Sequence, residues 1–233
     1  MKTVVIATIR PWNIRRARRW RPPDGWAVKL ITTPEEFTAK ALRRLRPEVI
    51  FFPHWSHIIP AEIFNRWECI VFHMTDLPYG RGGSPLQNLI ASGVRNTQVC
   101  ALRVEEGLDT GPVYMRRPLY IGDGSAADIF NAASRLCFSM IREILAGQPS
   151  PVPQVGAVVQ FRRRRPEESR IHPSLHGRHL YDFIRMLDAP EYPPAFLEVD
   201  GRRIEFRDAK MGHDESVSAR VTFLPKLDGG IHK

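Results

Sequence analysis

Residues 49–73 read VIFFPHWSHIIPAEIFNRWECIVFH and hold two unbroken apolar runs, Val49 to Phe52 and Cys69 to Phe72. Pro53 stops the first and His73 the second. Runs of this kind, without polar alternation, mark strands buried on both faces, as in a parallel sheet covered by helices. The pattern extends outward in both directions. Upstream, Thr3 to Thr8 and Ala27 to Ile31 read as strands. Between them Asn13 to Trp20 reads as a polar helix or turn, and Pro34 to Leu45 as a helix with Thr33 as N-cap. Downstream come a helix over Ser84 to Ser92, strands over Gln98 to Val104 and Val113 to Ile121, and a long helix over Ser125 to Leu145. Ile129, Ala132, Ala133, Leu136, Ile141 and Leu145 fall on the inner side of that helix. Alternating strands and helices predict an α/β fold with a mostly parallel twisted sheet and helices on both faces.

The Pro-rich turn GQPSPVP (147–153) closes this domain, which places domain one at 1–153 and a connector with a small C-terminal α+β or β subdomain at 154–233. The second part is read as a helix over His179 to Asp188, three strands (Phe196 to Val199, Arg203 to Phe206, Val217 to Phe223) and ten frayed terminal residues. Of the 233 residues 43% are hydrophobic and 25% charged, a balance that excludes wholesale disorder. No apolar run approaches the roughly 20 residues a membrane span needs, and the start lacks a signal-peptide pattern. Cys69, Cys100 and Cys137 form neither a Cys-x-x-Cys pair nor a disulfide framework. A soluble cytoplasmic protein without a membrane partner is expected. The net charge of +9 is concentrated in Arg15, Arg16, Arg18 and Arg19, in Arg43, Arg44 and Arg46, and in Arg162 to Arg165. Such clusters suit either a solvated face or an anionic partner.

Ligands of open α/β sheets sit at the carboxyl ends of the strands. His54 and His57 follow the third strand, His73 follows the fourth, and Asp109 lies in the loop after Val104. The three histidines match a zinc ligand count, but no accompanying metal motif supports a metal and none is expected. The loop from Met74 to Ser84 is rich in turn residues, and its free amides suit an anion or a carbonyl oxygen. The turn after the first strand reads TIRPWN, which is no dinucleotide fingerprint.

FHMTDLPYGRGGSPLQNLI (72–90) followed by VEEGLDTGPVY (104–114) resembles the folate-dependent formyltransferase family, whose pattern is Asn-x-His, a Ser-Leu-Leu-Pro loop, Arg-Gly, Pro-Ile-Gln and a later Gly-x-Asp-x-Gly turn. The resemblance covers roughly residues 47–210 and implies a Rossmann-like formyltransferase domain using 10-formyltetrahydrofolate without a metal. His73 falls on the family histidine and Asp109 on the catalytic aspartate; Arg81, Gly82, Gly107 and Leu108 fall on the cofactor-binding stretches. A positioned imidazole can hydrogen-bond the oxyanion of formyl transfer, and a carboxylate can orient it or take the proton the amine loses. The family asparagine is Val71 here, which cannot donate; His54, Ser56 and His57 are the candidate replacements.

The missing phosphate loop after the first strand and the short C-terminal part point to a small amine, a nucleotide-linked amino sugar of surface polysaccharide, as acceptor. Nucleic acid is not expected as partner. Arg10, Trp12, Asn13, Thr75 and Asp76 are the candidate acceptor contacts, and the basic, aromatic C-terminal piece could form a homodimer face. Two alternatives remain: a methionyl-tRNA-type formyltransferase, supported by the charge, and a catalytically degenerate folate-binding protein, motivated by Val71.

Overall fold

A computed structural model describes residues 1–225. The chain forms two compact units, one from residues 1–85, 96–119 and 130–161, the other from 86–95, 120–129 and 162 onward. The expected fraying of the last ten residues falls, from 226 on, outside the described residues.

The first unit is built on a sheet fed by β1 (Lys2–Ala7), α1 (Pro11–Arg19), β2 (Trp26–Ile31), α2 (Ala39–Leu45), β3 (Val49–Phe52), α3 (Ala61–Phe64) and β4 (Glu68–His73). After β5 (Arg81–Gly82) and α4 (Pro85–Ala91) the chain adds β6 (Asn96–Arg103), β7 (Val113–Tyr120), the 22-residue helix α5 (Ala126–Gly147) and β8 (Gln160–Phe161). The strand order is β2-β1-β3-β4-β6-β7, and β1 to β4 are mutually parallel. All four residues of β3 are buried, as its unbroken apolar run requires. The strand order reverses at β1, and parallel crossovers on either side of such a point bring helices to both faces of the sheet. On one face Leu42 of α2 and Ile63 of α3 pack with Val5, Ala7, Ile50 and Phe52. On the other, Trp12 of α1 stacks on Phe130 of α5, and Trp20 meets Phe138 edge to face.

One expectation is corrected by the fold. The second helix begins at Ala39, not Pro34, and its N-cap is Thr38, whose side chain accepts from the Ala41 amide. Thr33 caps only a local turn by accepting from the Glu36 amide. The sheet is mostly parallel, as expected, and within it β6 runs antiparallel to β4, with Arg103 opposite Ile70 and Cys100 opposite His73. The loop after β6 therefore starts low on β4, where the Val104 amide donates to the Cys69 carbonyl, and must fold back toward His73. All three cysteines are buried free thiols. Burial drives the pKa of Cys69 up to about 12 and that of Cys100 up to about 11, and raises that of Cys137 as well.

The second unit contains α6 (Gly177–Arg185) and the antiparallel sheet β11-β10-β9, formed by β9 (Ala195–Val199), β10 (Arg202–Met211) and β11 (Val217–Phe223). Leu180 and Ile184 of α6 face Leu197, Phe206, Val217 and Val221 of this sheet across an apolar cleft. Arg185 is buried, donating to the carbonyls of Ile121 and Gly124 and to the Asp182 carboxylate, so its charge is paired as burial demands. Gln87 donates to the Met186 carbonyl and ties α4 to the end of α6. Within the arginine run, Arg162 pairs with Glu168, and Arg164 donates to the Glu168 carbonyl. Those two arginines are committed to holding the connector.

Candidate active site

His73 ends β4 and is buried. Its Nε2 lies 2.7 Å from the Gly80 carbonyl oxygen, which can only accept, so Nε2 carries a hydrogen. Its Nδ1 lies 3.5 Å from Oδ2 of Asp109. That oxygen also accepts from the Gly82 amide at 2.9 Å. A carboxylate oxygen that takes a backbone amide and faces an imidazole is suited to hold an imidazolium in place.

Three loops converge to make this pair. After β4 the chain turns through Thr75 to Gly80; Thr75 is fully buried and donates to the same Gly80 carbonyl. The backbone at Gly82 runs so close to β8 that an added Cβ would lie 2.3 Å from the Phe161 carbonyl oxygen, at a φ of +108°. Only glycine fits there, and the close approach fixes the amide that Asp109 accepts. Asp109 itself sits at φ +56°, a left-handed conformation that aspartate tolerates better than most residues. Gln154 closes the arrangement. Its Oε1 accepts from Nε and Nη2 of Arg81, at 3.1 and 2.8 Å. Its Nε2 donates to the carbonyls of Asp109 and Gly111, at 2.9 and 2.8 Å. Every polar valence of that amide is directed at the loops that carry the pair. Sequence reading missed Gln154, Gly80 and Phe161, because backbone carbonyls leave no sequence signal and Gln154 stands in a Pro-rich turn 45 residues beyond Asp109.

Val71 shares the His73 face of β4, two residues away, and packs against two apolar clusters of this unit. His54 has φ +56°, and its ring meets Trp12 and Phe130 edge to face. Burial, aided by the Arg10 charge, pushes its pKa down to about 3 and keeps it neutral. His57 is exposed with its ring against Trp55, and Ser56 is half-buried beside it. Trp12 and Asn13 are buried; the Asn13 amide donates to the Pro53 carbonyl and pins α1 to the end of β3. Asp76 is exposed and pairs with Arg116. Gly107 turns the Asp109 loop at φ +96°, and Leu108 beside it is 68% exposed. Among the described residues no group of three His, Cys, Asp or Glu is placed to hold a metal ion. No helix there is long and apolar enough to cross a membrane.

The doubly wound sheet thus carries a His–Asp pair held by glycine-locked loops. Residues 26–133 match the formyl transferase family and residues 166–224 the methionyl-tRNA formyltransferase C-terminal domain. The chain is similar to the solved methionyl-tRNA formyltransferase from Clostridium thermocellum, with 42% identity and a TM-score of 0.93 over 96% of this chain and 99% of that one. It is 29% identical to methionyl-tRNA formyltransferase of Anaeromyxobacter dehalogenans (strain 2CP-1 / ATCC BAA-258) over 93% of this chain and 74% of that protein. A sugar N-formyltransferase from Shewanella sp FDAARGOS_354 shares the fold at a TM-score of 0.66 and 14% identity, covering 94% of this chain and 96% of that one. The chain belongs to the folate-dependent formyltransferase family and is a one-carbon transfer enzyme.

These relationships overturn the amino-sugar reading, and with it the nucleotide-sugar partner and the polysaccharide role. The relatives with substantial identity are named for methionyl-tRNA, while the likeness to the sugar enzyme is one of fold. The length argument fails for a physical reason: a structure of nearly the same extent bears the methionyl-tRNA name, so a short C-terminal part does not discriminate.

Proposed function

We propose that this chain transfers the formyl group of 10-formyltetrahydrofolate to the amino group of methionyl-tRNA. The observation that carries the reading is the His73–Asp109 pair in a chain 42% identical, end to end, to a structure bearing that name. The amine nitrogen attacks the formyl carbon, the C=O bond opens to an oxyanion, and collapse expels N10 of tetrahydrofolate. The amine loses one proton and N10 gains one.

In this scheme His73 serves the oxyanion. With Nε2–H given to the Gly80 carbonyl, Nδ1 carries a hydrogen only in the imidazolium form, and at 3.5 Å from Asp109 that N–H can turn to the developing charge. Asp109 serves the proton. Its Oδ2 holds the Gly82 amide, and Oδ1 remains to take the amine proton and return it to N10. Arg81 and Gln154 hold the loop rather than touch the reactants. Leu108, an apolar side chain left in water beside Asp109, suits the flat ring of a pterin.

The test is an assay with purified protein, 10-formyltetrahydrofolate and charged initiator tRNA, following tetrahydrofolate release and formyl-methionine on the tRNA. Formylation that His73→Ala abolishes supports the reading. Absence of formyl-methionine, with folate turnover driven by another amine, overturns the acceptor; folate binding without any turnover leaves a binding protein.

A further inference from the structure

Of the three arginine clusters, the last is tied in part into the connector, where Arg162 pairs with Glu168, whereas the first is enlarged by an arginine of a second helix. Helix α1 contains no acidic residue. Arg15, Arg18 and Arg19 follow the helical spacing of one face and are all exposed. Trp12, Asn13 and Ala17 point the other way into the core. Helix α5 lies alongside: Arg16 donates to Ser134, and Arg142 donates to the Arg21 carbonyl while lying over the Trp20 ring. This brings Arg135, exposed in the middle of α5, to the same surface. Its charge adds to burial, the larger cause, in lowering the Arg16 pKa. Among the described residues none of Arg15, Arg18, Arg19 and Arg135 makes an ion pair.

The helix dipole favours cations in the last turn of α1, but it does not account for Arg135. Like charges gathered without counter-charge repel one another and favour an anion that bridges them. Planar guanidinium forks suit phosphate diesters. The row starts one turn after Trp12, which meets His54 at the carboxyl edge of the sheet, and rises about 6 Å along α1 from Arg15 to Arg19. That rise matches the separation of neighbouring backbone phosphates, and Arg135 on α5 widens the patch sideways.

We infer that the α1–α5 face, through Arg15, Arg18, Arg19 and Arg135, is a phosphodiester-binding surface that engages the backbone of the RNA acceptor. The inference rests on the proposed acceptor and adds the place where its backbone is held. Arg43, Arg44 and Arg46 provide an internal control, since α2 packs on the opposite face of the sheet.

The test measures binding of a tRNA transcript by anisotropy between about 50 and 200 mM salt. Wild-type protein is compared with R15E/R18E/R19E, with the milder R15Q/R18Q/R19Q, and with R43E/R44E/R46E, which has the same charge change as the first. Circular dichroism checks that each is folded. The α1 variants are expected to make the salt slope shallower, by about 2 to 3 for three lost contacts, and to raise KM for the tRNA with kcat unchanged. The α2 variant is expected to keep the wild-type slope. Equal loss in both glutamate variants overturns the inference in favour of diffuse net charge, and so does an unchanged slope in the α1 variants. Binding to phosphatidylserine vesicles in place of tRNA overturns it as well. The two readings fail separately: formylation of methionyl-tRNA with an unaffected slope removes only the surface, and an α1-dependent slope without formylation removes only the acceptor.

Discussion

Oδ2 of Asp109 faces Nδ1 of His73 at 3.5 Å although the Asp109 loop leaves a strand that runs antiparallel to the one His73 ends. The loop after β6 starts beside Cys69, low on β4, and has to climb back along that strand to reach His73. What holds it there is a set of directed backbone contacts: the Gly82 amide on the carboxylate, and Gln154 on the carbonyls of Asp109 and Gly111. The site is thus assembled by closure of distant segments around a short piece of strand.

Asp109→Asn keeps an oxygen that can accept from Gly82, and so keeps the loop, but it removes the proton acceptor. We expect kcat to fall by about 10²- to 10⁴-fold, with the denaturation midpoint little changed. A steady-state assay beside a urea titration checks both halves. A large loss of stability would mean that the carboxylate is chiefly structural.

Gly82→Ala acts through the backbone. The added Cβ meets the Phe161 carbonyl at 2.3 Å and is also strained at φ +108°. We expect a destabilisation of about 1–3 kcal/mol and loss of activity, because β5 must leave β8 and the amide on Asp109 moves with it. Thermal unfolding and the transfer assay test this together.

Gln154→Ala removes the bridge between Arg81 and the Asp109 loop without touching a reactant. Gln154 is a positioning residue, so we expect kcat to fall about tenfold or more while KM for folate stays near its wild-type value, as for lost orientation. A proportional rise of KM would instead place the side chain in the binding surface.

The central strands were legible because β3 and the body of β4 are apolar runs with a single reading. The direction of β6 was not, since side-chain alternation carries no sign of parallel or antiparallel pairing. The start of α2 was misread because Thr33 and Thr38 are both competent caps, and the choice between them is made by tertiary packing around Phe37 and Leu42. His73 and Asp109 could be named from a motif; Gln154 could not, because its role exists only once residues 81, 109, 111 and 154 are brought together. The acceptor was misread because chain length says little about the surface a substrate meets.

His54 gives a pH signature. Its folded pKa, about 3, lies below the ordinary value of 6.5, so the folded state holds it neutral. Above pH 6.5 it is neutral in both states. As pH falls below 6.5 the unfolded chain gains a proton that the folded one refuses, and stability declines through the window down to about 3. The slope from this group is at most about 1.4 kcal/mol per pH unit. His54→Asn tolerates the left-handed backbone and cannot titrate, so urea titrations across this range should show a shallower acid slope for the variant.

Val71→Asn tests what the family asparagine would add. The residue shares the His73 face of β4 but packs against Leu77, Cys100 and Leu102, so a polar side chain should cost about 1–3 kcal/mol of stability. Beside His73 the same amide would offer a second donor to the oxyanion, and such donors contribute about 10²-fold or more where the site is built for them. We expect a less stable variant with kcat raised about tenfold, less than the full effect because the surrounding shell is apolar. A loss of activity, with folding intact by circular dichroism, would show that the site works with His73 as its side-chain donor and that valine is part of its fit.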